Sequence, residues 1–193
     1  MVWKNDQVSQ EETMRIIEIA RRCLDIEGDY VEMGCYKGDT SLLLAEVLKD
    51  FNKKRTDGLS KRLWIYDSFE GLPQKRPEDK SVLGVAFRAG ELGVTKREVK
   101  ERFLRAGLPV PVIKKGWFSD LVERDMPEKI AFAFLDGDFY ESIKDSLRLV
   151  IPKMSRDGVI IVHDYTNLAL PGVKRAVDEC LLGKSLDFEL VLL

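Results

Sequence analysis

A chain of 193 residues, 45% hydrophobic and 33% charged, suits one globular domain with a sizeable core. Its 31 Lys+Arg against 33 Asp+Glu leave a net charge of -2, which argues against nucleic acid or another large polyanion as the main partner. Cys23, Cys35 and Cys180 are odd in number and widely spaced with no CxxC pair, so neither a disulfide framework nor a zinc site is indicated. No uncharged apolar run approaches the roughly 20 residues of a membrane span, and Met1 to Gln10 has no apolar core of a leader. The expectation is a soluble, unprocessed, cytoplasmic protein with no membrane or nucleic-acid partner.

In chain order, Ser9 and Glu12 form a capping box ahead of Met14, Ile17, Ala20 and Leu24, whose spacing predicts an amphipathic helix within an N-terminal segment 1–28. A strand Tyr30 to Met33 follows. Gly34 and Gly38 allow a tight turn into a helix that starts near Asp39 or Thr40 and carries Leu42, Leu43, Leu44, Val47 and Leu48. Lys61 to Asp67 is a second strand. The stretch 71–94, rich in Pro, Gly and charge, is too long for an ordinary connection and is the candidate lid.

A second capping box, Thr95 with Glu98, opens a helix that Gly107 stops. Strands are predicted at Pro111 to Lys114, Ile130 to Asp136, Gly158 to His163 and Phe188 to Leu193. Between them lie a helix with Ile143, Leu147, Val150 and Ile151 on one face and another starting at Pro171. The alternation implies one domain over residues 1–193: a doubly wound, mostly parallel α/β sheet of Rossmann-like form, with helices on both faces.

Four of these strands end in acids: Glu32, Asp67, Asp136 with Asp138, and Asp164. Ligands of open parallel sheets bind outside the carboxyl ends of the strands, so this recurrence implies a polar ligand bearing a cation or hydroxyls. The segment Val31 to Thr40 has two glycines where the dinucleotide fingerprint has three, and it lacks the GK[ST] of a phosphate loop. A carboxylate beside a glycine-opened pocket suits a ligand with an ammonium group, and S-adenosylmethionine is such a ligand. Asp67, one strand over, is placed to accept hydrogen bonds from ribose hydroxyls. The competing structural reading is that the glycines only make a turn and Asp67 only caps a helix.

Five segments stand in order: DSFEGLP at 67–73, KGWF at 115–118, LDGDFYES at 135–142, Asp164-Tyr165, and PGVKRAVD at 171–178. Together they closely resemble the macrocin O-methyltransferase family, class I methyltransferases that modify sugar and related hydroxyls of natural products. The resemblance spans roughly residues 29–182 and implies a small-molecule hydroxyl acceptor. It also implies an S-adenosylmethionine site formed by Glu32, Gly34, Tyr36, Gly38 and Thr40, by Asp67, Ser68 and Phe69, and by Gly116 and Trp117. Family members bind a divalent cation, usually magnesium, through the first Asp of the LDGD segment and an Asp-Asp pair after the fifth strand. The second LDGD acid is the proposed general base. Carried over, Asp136, His163 and Asp164 become the metal ligands and Asp138 the base.

One position departs from the pattern: His163 stands where the family usually has the first Asp of the pair. Magnesium prefers oxygen, whereas imidazole suits manganese, iron, zinc or nickel. His163, the sole histidine, therefore reads as a ligand, as an alternative base or as a polar strand-end residue. The chain is also short beside members of the family, so a neighbouring subunit could complete the acceptor pocket, and a homodimer is the expectation.

The chemistry itself asks for a cation. An alkyl hydroxyl is a poor nucleophile until it loses its proton, and a carboxylate of pKa about 4 cannot remove it alone at neutral pH. Positive charge beside the oxygen changes this: zinc lowers water from about 15.7 to about 7. Three rival readings remain. Asp136-Gly137-Asp138 is also the DxD of metal-dependent glycosyltransferases, and Tyr140 with Lys144 matches the YxxxK of short-chain dehydrogenases. A non-catalytic S-adenosylmethionine-binding or scaffold protein is the third. Of Trp117, Phe139, Tyr140 and Tyr165, each could stack on an acceptor ring or simply pack near a strand end.

Overall fold

The computed structural model describes residues 7–56, 60–84, 87–181 and 183–193. The elements are α1 (Gln10–Arg22), β1 (Asp29–Met33), α2 (Asp39–Lys54), β2 (Leu63–Asp67), α3 (Lys96–Arg105), β3 (Val112–Lys115), β4 (Ile130–Leu135), α4 (Tyr140–Val150), β5 (Met154–Val162), α5 (Pro171–Leu181) and β6 (Glu189–Leu192). They build a six-stranded sheet in the order β3-β2-β1-β4-β5-β6, with every neighbouring pair parallel. The order reverses between β1 and β4, so the crevice outside their carboxyl ends is where a ligand of such a sheet is expected.

The two-residue period of the strands divides the core into two layers. β4 is buried along its whole length and sends Phe132 and Phe134 to the face covered by α1, α2 and α3, and Ala133 and Leu135 to the face covered by α4 and α5. β1 splits likewise, Tyr30 to the first layer and Val31 and Met33 to the second. Both capping boxes form as the sequence predicts, at Ser9/Glu12 and Thr95/Glu98, and Gly107 ends α3 with φ +65. Among the described residues, no helix is long and apolar enough to cross a membrane.

β5 begins at Met154 rather than Gly158. Met154 pairs with Ile130, but the next pair is Phe132 with Val159, so residues 155–158 bulge out of the ladder at Asp157, whose φ is +62. The polar run Ser155-Arg156-Asp157 hides this start from any hydrophobic pattern. The long connection from β2 to α3 has one regular turn among its described residues, a 3₁₀ turn at Pro77–Asp79, and residues 85 and 86 of the predicted lid lie outside the described residues.

At the reversal of strand order, Asp136 N–H donates to Met33 O at 2.9 Å, and Gly34 N–H to Tyr66 O at 2.8 Å. Gly34 has φ +90, and a methyl group on it would land on the Asp136 carbonyl oxygen. Gly34→Ala should therefore cost about 3 kcal/mol of stability. Gly107→Ala, at φ +65 with nothing within 4 Å of the new carbon, should cost about 1 kcal/mol. Urea unfolding of the two variants checks the difference; equal losses would mean that the close approach of β4 to β1 is not what requires Gly34.

Candidate active site

A cleft of about 910 Å³, part of it open to solvent, lies outside the carboxyl ends of the strands. Four strand exits each place a non-glycine residue in the left-handed region: Tyr36 (φ 44), Phe69 (φ 53), Asp138 (φ 62) and Asp164 (φ 61) follow β1, β2, β4 and β5. Backbone strain of this kind, of order 1–3 kcal/mol per residue, survives only where surrounding contacts impose it. Here it turns each chain sharply at the cleft.

At one end of the cleft, the turn after β1 is tied to β2 by a single carboxylate. Asp67 Oδ2 accepts the backbone N–H groups of Cys35 (2.9 Å) and Tyr36 (3.1 Å), and its Oδ1 accepts that of Phe69 at 2.7 Å. With about four lone-pair sites, the carboxylate keeps capacity for a ligand hydroxyl. Glu32 is 1% exposed and accepts a hydrogen bond from the Ser41 hydroxyl. Burial pushes its pKa up to about 8, opposed by Ser41 and reinforced by Asp136, Asp67 and Asp39. Thr40, Ser68, Gly116 and Trp117 also line the cleft.

The opposite end is acidic. His163, 5% exposed, places Nδ1 at 3.0 Å from Asp136 Oδ1 and 3.1 Å from Asp164 Oδ2, with Nε2 at 3.7 Å from Glu12 Oε1. Burial opposes its charge, but Asp136 and Asp164 outweigh burial and push the imidazole pKa up to about 11. Burial also works against the Asp164 charge, yet the contacts from His163 and Asn167 hold its carboxyl below the usual range. Asp138 is raised well above that range, first by burial and then by Asp136 and Asp164.

A profile of the macrocin-O-methyltransferase (TylF) family matches residues 11–190. This chain belongs to that family. It is 32% identical over 145 residues to the 8-demethyl-8-(2,3-dimethoxy-alpha-L-rhamnosyl)-tetracenomycin-C 4'-O-methyltransferase of Streptomyces olivaceus, covering 72% of this chain and 54% of that one. It is 29% identical over 174 residues to the demethyldecarbamoylnovobiocin O-methyltransferase of Streptomyces niveus, covering 84% and 64%. The chain thus spans between half and two thirds of the length of these relatives. The solved O-methyltransferase NovP superposes with a TM-score of 0.69 at 31% identity, over 84% of this chain and 69% of that one.

In this member of the macrocin O-methyltransferase family, most residues singled out in the sequence meet at the cleft: Glu32, Gly34, Tyr36 and Asp67 with those named above, and Asp136, Asp138, His163 and Asp164. Two do not line it. Gly38 caps α2 at φ 80, and Phe69 is packed in the first core layer. Both shape turns whose neighbours face the cleft. Of the four candidate stacking aromatics, Trp117 alone reaches the wall; the Tyr165 hydroxyl is held by Asp178 and Lys174. Off the cleft wall, Lys144 donates to the Tyr140 hydroxyl, which donates to Glu179, and this accounts for the YxxxK match structurally.

Sequence reading missed Gln7, Val8, Leu92 and Ser142, which also line the cleft. Ser142 was findable, since it lies in the first turn of the helix after LDGD. Gln7 and Val8 carry no local signal because only folding brings α1 to His163. Asp136, His163 and Asp164 offer one donor atom each, all within 4.8 Å of one another. Two carboxylates with one imidazole fit a divalent cation, and the nitrogen favours a transition metal over magnesium.

Glu32 generates a test that needs no ligand. Its folded pKa lies above the ordinary 4.5, so between those values the unfolded chain ionises while the folded chain keeps its proton, and stability falls as pH rises from about 4.5 to about 8. Glu32→Gln removes that loss. The variant should melt with wild type at pH 4 and several degrees above it at pH 8, by about 2–4 °C per kcal/mol. Parallel melting curves at both pH values would show that Glu32 titrates normally.

Proposed function

We propose that this chain forms the catalytic unit of an S-adenosylmethionine-dependent O-methyltransferase acting on a hydroxyl of a sugar carried by a small-molecule natural product. The observation that carries the reading is the convergence in one cleft of Glu32 and Asp67, from β1 and β2, with the group of Asp136, Asp138, His163 and Asp164 that follows β4 and β5. Membership of the family supports it, and so do the names of the relatives, one of which acts on a rhamnosyl group.

In this reading, Glu32 receives the ammonium of the cofactor and Asp67 the ribose hydroxyls. Asp136, His163 and Asp164 would hold a divalent cation, which would supply positive charge that makes a nearby acceptor hydroxyl more acidic. Asp138, whose proton affinity is raised, takes the hydroxyl proton. The acceptor oxygen then bonds to the methyl carbon as the carbon–sulfur bond breaks, and its electron pair passes to sulfur to leave neutral S-adenosylhomocysteine. The turns that fix these groups reduce the entropy of reaching an in-line arrangement, worth about 7–11 kcal/mol where alignment is good.

A second reading is favoured by the two contacts of His163 Nδ1. Here its imidazolium is itself the cation between Asp136 and Asp164, and no metal is used. Chelation separates the readings. Methyl transfer to a panel of rhamnosides should stop in excess chelator and return with manganese at least as well as with magnesium; full activity in chelator selects the imidazolium.

Two further outcomes are expected. Binding of S-adenosylmethionine near pH 7 should release close to one proton, because a cation beside Glu32 ionises a group whose pKa stands at about 8. Calorimetry in buffers of different ionisation enthalpy measures this, and a binding heat independent of buffer removes Glu32 from the ammonium site. Asp138→Asn should lower turnover by about 10² to 10⁴ at unchanged cofactor affinity. Turnover equal to wild type at saturating cofactor and metal would take Asp138 out of the mechanism.

A further inference from the structure

The connection from β2 to α3 carries a buried acidic side chain at its middle. Asp79 is 1% exposed; its Oδ2 accepts the Arg76 N–H at 2.9 Å and its Oδ1 accepts the Tyr140 N–H at 2.7 Å. Tyr140 opens α4, and the N-cap residue of that helix, Phe139, has no side-chain oxygen to satisfy the first amides. A carboxylate 61 residues earlier in the chain does so instead.

Gly172, in the first turn of α5, lies against the same group: a Cβ on it would collide with Asp79 Oδ1 and stand 2.9 Å from the Tyr140 nitrogen. The carboxylate thus occupies a slot that exists because residue 172 has no side chain. The slot lies where the N-termini of two helices meet and negative charge is favoured.

Both flanks of this connection bear on the cleft. Leu72 N–H donates to Glu91 O and Gly90 N–H to Leu72 O, each at 2.8 Å, and Gly71, Leu72, Pro73 and Leu92 line the wall. On the other side, Tyr140 follows Asp138 by two residues through a tight turn in which Phe139 N–H donates to Gly137 O at 2.7 Å.

We infer that Asp79 is a positioning residue: it fastens the β2–α3 connection to the starts of α4 and α5, and so fixes both the cleft wall at Gly71 to Pro73 and the turn that carries Asp138. The inference rests on the cofactor reading given above, and S-adenosylhomocysteine is the probe. Asp79→Ala should weaken its binding at least about tenfold, the scale of losing hydrogen bonds to a charged group. Asp79→Asn keeps only one of the two acceptor oxygens and sets its NH2 against the other N–H, so its loss should fall between wild type and Asp79→Ala. Amide exchange at Arg76, Tyr140 and residues 78–80 should quicken most in the alanine variant, while the central strands stay protected.

If the alanine variant does not fold, wild type still decides: the ligand should slow exchange at Arg76, residues 78–80 and Tyr140 together with Gly71 and Leu72. Binding by folded Asp79→Ala within about twofold of wild type, or protection confined to Gly71 and Leu72, overturns the positioning role. Absence of binding by wild type overturns the cofactor reading itself.

Discussion

The missing side chain at Gly34 lets the exits of β1 and β4 come into contact, and the rest of the site is arranged around that approach. The Asp136 carbonyl occupies the space a Cβ would need, while Asp136 N–H reaches back to Met33 O. Strand order reverses at this point, so helices leave to opposite faces and open a crevice between them. On the β1 side, the Asp67 carboxylate gathers Cys35, Tyr36 and Phe69 into one brace. On the β4 side, Asp136, Asp138, His163 and Asp164 converge. A bulkier residue at position 34 would push the two halves apart and separate the groups at these strand exits.

Five carboxyl groups crowd this edge, and leaving a buried charge uncompensated costs several kcal/mol. Each is handled differently. Asp67 is balanced by three backbone N–H groups, and Glu32 by retaining its proton beside the Ser41 hydroxyl. Asp136 and Asp164 share the His163 ring. Asp138 faces burial and two like charges, with His163 opposing them less strongly, so its carboxyl stands well above the usual range. The difference in proton affinity between Asp138 and Asp164, both at the same end, is what a site needs if one acid is to move a proton and another is to stay charged.

The same economy extends beyond the cleft. The capping box of α1 gives Glu12 two partners, since Oε2 takes the Ser9 N–H while Oε1 faces His163. The Asp79 carboxylate likewise caps α4 and holds a connection whose flanks form the cleft wall. In both cases a side chain that satisfies a helix start also ties that start to a distant part of the fold, Glu12 to His163 and Asp79 to the connection after β2.

Much was legible in the residues alone, because strand alternation, helix periodicity and capping boxes are local. Ser9/Glu12, Thr95/Glu98, the buried run Ile130–Leu135 and the stop at Gly107 each announce an element within a few residues of chain, and acids at successive strand ends mark one edge of a parallel sheet. What the chain does not announce is which distant atoms meet. The early start of β5 depends on Ile130 offering a partner to Met154 across a bulge. The placement of Glu12 beside His163, and of Gln7 and Val8 in the cleft wall, depends on how α1 packs, and the slot for Asp79 depends on Gly172. The sequence by itself determined the elements, their order and the acids at their ends, since these follow from short-range sterics and hydrophobic period. Only the tertiary structure decided how those acids are compensated, because hydrogen bonds and burial between residues tens of positions apart leave no local pattern.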